Sequence, residues 1–253
     1  MKFSCRKALA FARLADHAYT PKHFAGMPEG WTHVKSFRNE KTDAQAFIAV
    51  DGNRIVVSTK GTKSWKDVLQ DAKFELVEVK FGDRKVRMEK GFYEDYEALR
   101  DRIVEEVRIL ASRLKDPKVL VTGHSLGGAI ASGLATDLGT RDLRPDVWTF
   151  GSPRPGDASF MRLFNEVVGE SWRIVHLRDL VPGVPKGFGY QHVDVFHHID
   201  DMGREVPSPR TFWKHLLQFL GILKADLDGE GIKDHFMDNY IRCLERGAED
   251  EVR

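Results

Sequence analysis

The chain has 253 residues, 42% hydrophobic and 30% charged, which is enough to bury a sizeable core, and one domain spanning 1–253 is expected. Its 39 basic and 38 acidic residues nearly cancel to a net charge of +1, so no long-range field draws it to nucleic acid or to an anionic membrane. Two cysteines, Cys5 and Cys243, lie near opposite ends and read as free thiols, and no C-x-x-C or Cys/His cluster suggests zinc or any other metal.

The N-terminal stretch MKFSCRKALAFARLADHAY starts with basic residues as an export signal does. Arg13 and Asp16, however, interrupt what should be an unbroken apolar run of roughly 7 to 15 residues. The spacing of Leu9, Phe11, Ala12, Leu14, Ala15 and Ala18 predicts an amphipathic helix instead. With no run of about 20 apolar residues either, a cytoplasmic location is expected. Next, AFIAVDGNRIVVSTKGT gives two apolar runs joined by Asp51-Gly52-Asn53, which predicts an antiparallel hairpin. KFGDRKVRMEK reads as a solvated hairpin. Phe92, Tyr96, Leu99, Ile103, Val107, Leu110 and Leu114 then recur every three or four residues, marking a long helix that ends before Pro117.

Beyond that helix the elements alternate: strand Lys118 to Thr122, helix Ser125 to Leu138, strand Val147 to Phe150, helix Ala158 to Val168, strand Trp172 to Leu177. Such alternation implies right-handed crossovers and a mostly parallel sheet with helices on both faces, an α/β fold. YQHVDVFHHID reads as a hairpin or an edge strand. TFWKHLLQFLGILKA and KDHFMDNYIRCLERG read as two helices, followed by a frayed AEDEVR tail.

Gly123-His124-Ser125-Leu126-Gly127 fits G-x-S-x-G in the strand-to-helix setting that gives the motif meaning. There the serine occupies a strained turn above the sheet, and the flanking glycines let helix and strand approach. The Leu126 N–H, at a helix start, is aimed to donate to an oxyanion formed when Ser125 attacks an ester carbonyl. His124 is tempting as a base, but a neighbour in so tight a turn points away from the serine and reads as structural. Serine needs a base oriented by an acid, and on an α/β-hydrolase sheet these follow in the order Ser, Asp or Glu, His. Acid candidates are Asp157, Asp179, Asp194, Asp200 and Asp201, of which Asp179 stands out just beyond an apolar strand and before a Pro-Gly break. Base candidates are His176, His192, His197, His198, His215 and His235; His235, at a loop-to-helix junction, suits a side chain that reaches across a cleft.

KGTKSWKDVLQD, EKGFYEDY, VTGHSLGGA, TFGSPRPGD, RDLVPGVP and DHFMDNYI occur in this order, and together they make the chain resemble the class 3 lipases, α/β hydrolases that include fungal triacylglycerol lipases. The resemblance spans roughly positions 45 to 245. It implies an α/β-hydrolase fold with a short lid, Ser125 as nucleophile, Asp179 as orienting acid, His235 as base, and Thr62 as the second oxyanion residue beside Leu126. It also places the lid between Thr62 and Gly91, where SWKDVLQDA gathers Trp65, Val68, Leu69 and Ala72 on one helical face. Such a helix closes an acyl groove in water and turns outward at a lipid surface, or stays fixed.

The expected function is therefore a serine carboxyl-ester hydrolase that is lipase-like, acts on triacylglycerol or related acyl esters, and needs no cofactor. Its partners would be the ester substrate and, transiently, a lipid interface. Phospholipase A1 and feruloyl-type esterase are the alternatives within the same chemistry. A catalytically silent hydrolase fold that binds lipid or protein is the alternative of another class.

Overall fold

The computed structural model describes residues 2–20, 26–61, 74–185, 189–193, 196–206 and 233–252. The elements are α1 (Cys5–His17), β1 (Thr32–Arg38), β2 (Gln45–Asp51), β3 (Arg54–Thr59), β4 (Leu76–Phe81), β5 (Arg84–Glu89), α2 (Lys90–Ser112), β6 (Lys118–His124), α3 (Leu126–Gly139), β7 (Asp146–Phe150), α4 (Ala158–Val167), β8 (Ser171–His176), β9 (Phe196–Ile199) and α5 (Met237–Asp250). Seven strands form one sheet in the order β1-β2-β3-β6-β7-β8-β9, and β4-β5 stand apart as a hairpin. β1, β2 and β3 pair antiparallel, whereas β3, β6, β7, β8 and β9 run parallel. The predicted hairpins at 46–62 and 80–90 are thus β2-β3 and β4-β5, and YQHVDVFHHID contributes the edge strand β9.

The central strands are apolar on both faces because helices cover both. One face packs Val57, Val121 and Val147 against Tyr96, Leu99 and Ile103 of α2 and Ile130 and Leu134 of α3. The other packs Val56, Trp148 and Ile174 against Phe11 and Leu14 of α1 and Tyr240 and Leu244 of α5. α3 is buried over nearly its whole length, and Gly127 lets its start lie close to the backbone at the end of β3. Cys5 and Cys243 are free and buried in the α1/α5 layer, and burial pushes both thiols up, to about 11 and about 12.

Three expectations need correcting. The C-terminal tail is not frayed: α5 continues to Asp250, and the Glu251 carboxylate accepts from the N–H groups of Cys5 at 2.7 Å and Arg6 at 3.3 Å, closing the start of α1. Strand β6 continues two residues past Thr122 to His124, which makes Ser125 the residue preceding α3 rather than its first turn. α2 stops at Ser112, so Leu114 lies beyond it. The proposed lid segment and the apolar 211–225 stretch lie outside the described residues.

Candidate active site

Because β3, β6, β7 and β8 are parallel and in register, their C-terminal ends deliver Gly61, Ser125, Gly151 and Asp179 to one edge of the sheet. Ser125 has φ 59° and ψ −134°, a conformation that L residues rarely adopt, and it is 2% exposed. Its N–H donates to Phe150 O at 2.9 Å, and Gly128 N–H returns to Ser125 O at 2.8 Å, so both sides of the turn are fixed. A Cβ on Gly127 would lie 2.9 Å from Gly61 N, and one on Gly123 would meet the Gly127 backbone. The two flanking glycines are therefore required by the close approach of α3 to β3 and β6.

His235 sits in the turn just before α5 and is fully buried. The Ser125 hydroxyl lies 2.8 Å from His235 Nε2, while Nδ1 faces both Asp179 oxygens, at 2.9 and 3.0 Å. A carboxylate can only accept, so Nδ1 carries the ring proton and the Nε2 lone pair faces Ser125. Asp179 accepts further from Val181 N–H at 2.9 Å and from the Tyr240 hydroxyl at 2.6 Å. Tyr240 in turn accepts from His176 N–H at 3.1 Å, which directs its proton to Asp179. Burial, with Asp179 alongside, holds the Tyr240 phenol well above its ordinary range, so it remains a donor. The carboxylate is thus fully hydrogen-bonded before any substrate arrives.

Of the other acid candidates, Asp157 caps α4 through Ser159 N–H and Phe160 N–H and pairs with Arg87, and Asp200 holds its own turn through Met202 N–H and Arg204 N–H. Asp201 faces His176 at 3.4 Å, and Asp194 lies outside the described residues. Of the other histidines, His192 contacts Pro182 O, His197 contacts Glu205, and His198 contacts Leu177 O. His215 lies outside the described residues, as do Thr62, Trp65, Val68 and Leu69. Gly61, next to Thr62, stands directly over the turn: a Cβ there would lie 3.3 Å from Ser125 Cβ. Leu126 opens α3, where its N–H has no acceptor within the helix.

Three contributors were missed by sequence reasoning. Gly151 (φ 56°) is a glycine because a Cβ would meet Asp179 Oδ2 at 2.5 Å and His235 Nδ1 at 3.0 Å; its signal is a glycine directly after an apolar strand. Tyr240 is the one phenol on the buried face of α5, among Met237, Cys243 and Leu244. Tyr19, whose hydroxyl lies 3.0 Å from His124 Nδ1, has no sequence signal. Among the described residues no cluster of three or more His, Cys, Asp or Glu could hold a metal ion.

A mostly parallel sheet with a strained serine between β6 and α3 and a following acid and histidine defines an α/β hydrolase. The family model described as Lipase (class 3) matches residues 56–188, more than half of the chain. A secreted mono- and diacylglycerol lipase A of Penicillium cyclopium is 31% identical over 156 residues, covering 60% of this chain and 50% of the relative. Phospholipase A1-IIgamma of Arabidopsis thaliana is 30% identical over 222 residues, 74% of this chain and 52% of the relative. The crystal structure of a lipase from Rhizopus microsporus var. chinensis superposes with a TM-score of 0.71 at 28% identity, over 81% of this chain and 76% of that one. The chain belongs to the class 3 lipase family. It spans about half the length of the curated relatives it matches.

The cytoplasmic location expected from the N-terminus is overturned by these relatives, several of which are named as secreted. The interrupted apolar run at 1–19 is explained by packing instead: Ala8, Phe11, Ala12, Leu14 and Ala15 of α1 are buried against the sheet. No helix among the described residues is long and apolar enough to cross a membrane.

Proposed function

We propose that this protein hydrolyses carboxyl esters of lipids through an acyl-enzyme on Ser125. The observation that carries the reading is the continuous run of contacts from Ser125 Oγ through His235 to Asp179, at 2.8 and 2.9 Å in a buried setting. In the first half-reaction Nε2 of His235 takes the serine proton as Oγ attacks the ester carbonyl. The N–H of Leu126 and the N–H and hydroxyl of Thr62 hold the oxyanion, and the imidazolium, steadied by Asp179, gives its proton to the leaving alcohol. Water activated by the same histidine then releases the acid. No step calls for a metal or an organic cofactor.

Trp65, Val68 and Leu69 form the apolar face of the lid in this reading, and the substrate is a mono- or diacylglycerol, as the names of the Penicillium and Fusarium relatives support, or a triacylglycerol, as a solved structure of a triacylglycerol lipase 26% identical to this chain supports. A phospholipase A1 activity is the second reading, favoured by the Arabidopsis relative, whose alignment covers 74% of this chain. The secreted relatives support action outside the cell. We also read the chain as one domain, since α1 and α5, from its two ends, share one face of the sheet.

Ser125→Ala should lower p-nitrophenyl ester hydrolysis by about 10⁴- to 10⁶-fold. A folded Ser125→Ala protein with near wild-type rates would refute the proposal. Emulsions of acylglycerol and of phospholipid, compared side by side, decide between the two substrate readings.

A further inference from the structure

His124, beside the proposed nucleophile, is 6% exposed, and neither of its ring nitrogens is idle. Nε2 lies 2.7 Å from the backbone carbonyl of His235, and Nδ1 lies 3.0 Å from the Tyr19 hydroxyl. A carbonyl only accepts, so Nε2 carries the proton and donates to His235 O. In the neutral ring Nδ1 is then an acceptor, and the Tyr19 hydroxyl meets it at 3.0 Å, closer than the His124 backbone carbonyl at 3.4 Å. The Tyr19 oxygen is packed against Gly61, where an added Cβ would lie 2.4 Å from it. The chain has one polarity, Tyr19 Oη–H to His124 Nδ1 and His124 Nε2–H to His235 O, with Gly61 packed on the Tyr19 oxygen.

These contacts reach three separate parts of the site. Gly61 precedes Thr62, the proposed oxyanion residue; His124 precedes Ser125; and the last acceptor is the carbonyl of the proposed base itself. The His124 ring also stacks on the His235 ring, with centroids 4.6 Å apart and planes at 30°, between the edges of Tyr19 and Tyr240.

We infer that Tyr19 and His124 are a pair of positioning residues that set the distances between the oxyanion loop, the nucleophile turn and the His235 loop. The inference rests on the triad reading above. A neutral His124 is essential to it, because a second proton on the ring would set two donors, Nδ1–H and Tyr19 Oη–H, against each other, and would place a cation beside the imidazolium formed during turnover. Burial, reinforced by His235, holds His124 well below the ordinary histidine range, in keeping with a ring that stays neutral.

The test is kinetic. Tyr19→Phe removes the hydroxyl and keeps the ring, and should lower kcat by about five- to tenfold with KM changed less than about twofold, since one hydrogen bond of geometry is lost and no substrate contact. Phosphonylation of Ser125 by a fluorophosphonate should slow by the same factor. His124→Leu should match or exceed that loss, and His124→Gln, whose amide nitrogen can reach His235 O, should recover at least half of it on a logarithmic scale. The double variant Tyr19→Phe/His124→Leu should be no slower than His124→Leu alone, because both changes break one chain. Wild-type kcat in Tyr19→Phe, multiplicative losses in the double variant, or equal losses in His124→Gln and His124→Leu would each overturn the inference. Imidazole ¹⁵N spectra of the wild-type protein, which need no variant to fold, should give His124 as the neutral Nε2–H tautomer; an Nδ1–H tautomer would also overturn it. Ser125→Ala separates the two levels of the account: if it stays active, the triad reading fails, and if it is inactive while Tyr19→Phe is unimpaired, only the positioning role fails.

Discussion

Gly127→Ala sets two effects of opposite sign against each other at the second glycine of the G-x-S-x-G turn. Gly127 lies in the first turn of α3, where replacing glycine by alanine ordinarily stabilises a helix by about 0.5–1 kcal/mol. Here the added methyl would lie 2.9 Å from both Gly61 N and Lys60 C and closer still to Thr59 O, against 3.4 Å for ordinary contact. All three partners are backbone atoms of one stretch, held by β2, β3 and β6, so the helix must retreat by about 1 Å rather than a side chain turning aside. Overpacking of this kind costs about 1–3 kcal/mol and outweighs the propensity gain. Because Ser125 is carried on the same turn, a displacement of about 1 Å should also lower kcat by about 10²-fold. Gly133→Ala, on the same helix, is the control. Its methyl would meet Tyr96 at 3.1 Å and Met88 at 3.4 Å, side chains that can shift, so stability should change by less than about 1 kcal/mol with kcat close to wild type. Thermal unfolding and initial rates on a soluble p-nitrophenyl ester measure both quantities. A Gly127→Ala protein with wild-type kcat and an equal or higher Tm would refute the close-approach argument.

Tyr240→Phe removes a hydrogen bond to the buried Asp179 carboxylate and leaves His176 N–H without its acceptor. The combined cost is about 2–4 kcal/mol, or a fall in Tm of about 5–15 °C; an unchanged Tm would show that water replaces the phenol. Asp157→Ala, which uncaps α4 and releases Arg87, should cost about 1–2 kcal/mol in chemical denaturation, and a loss below 0.3 kcal/mol, about the error of such measurements, would deny the cap its role. For pH, burial holds His124 and His192 well below their ordinary value while the unfolded chain takes up their protons below about 6.5. The unfolded state then binds more protons, so stability is fully present above that pH and falls as pH drops, by up to about 1.4 kcal/mol per unit for each histidine. Asp95, pushed up to about 6 by burial, works in the opposite sense between its ordinary value and 6, as do Asp16 and Glu89, also pushed up by burial, so the histidine loss shows most clearly above pH 6. Tm should therefore fall between pH 6.5 and 6, and His192→Gln should flatten that slope; a Tm that rises over this range would contradict the assignment.

Much of the sheet was legible because its central strands are short apolar runs alternating with helices, a pattern dictated by burial on both faces. The position of the proposed nucleophile was legible because a serine between glycines at a strand-to-helix junction has few other uses. β1 was not, since only Phe37 of its seven residues is buried and its pairing slips between His33 and Lys35, which leaves a charged edge strand without alternation. Asp179 and His235 stood out by their places at element ends, but their meeting is a product of sheet order, and only the family resemblance singled out His235. Tyr240 and Tyr19 act through contacts 61 and 105 residues distant in sequence, which no local pattern encodes. The Glu251 cap on α1 escaped for the same reason, because an acidic tail reads as solvated until the two ends of the chain are brought side by side.

The central claim is that Ser125 is a nucleophile activated by His235. Treating the folded protein with a fluorophosphonate and mapping the adduct by mass spectrometry tests it most directly. The account predicts one covalent adduct per chain, on Ser125, absent from Ser125→Ala and strongly slowed in His235→Ala. A folded protein that forms no adduct, or one that is still labelled after Ser125→Ala, would contradict it.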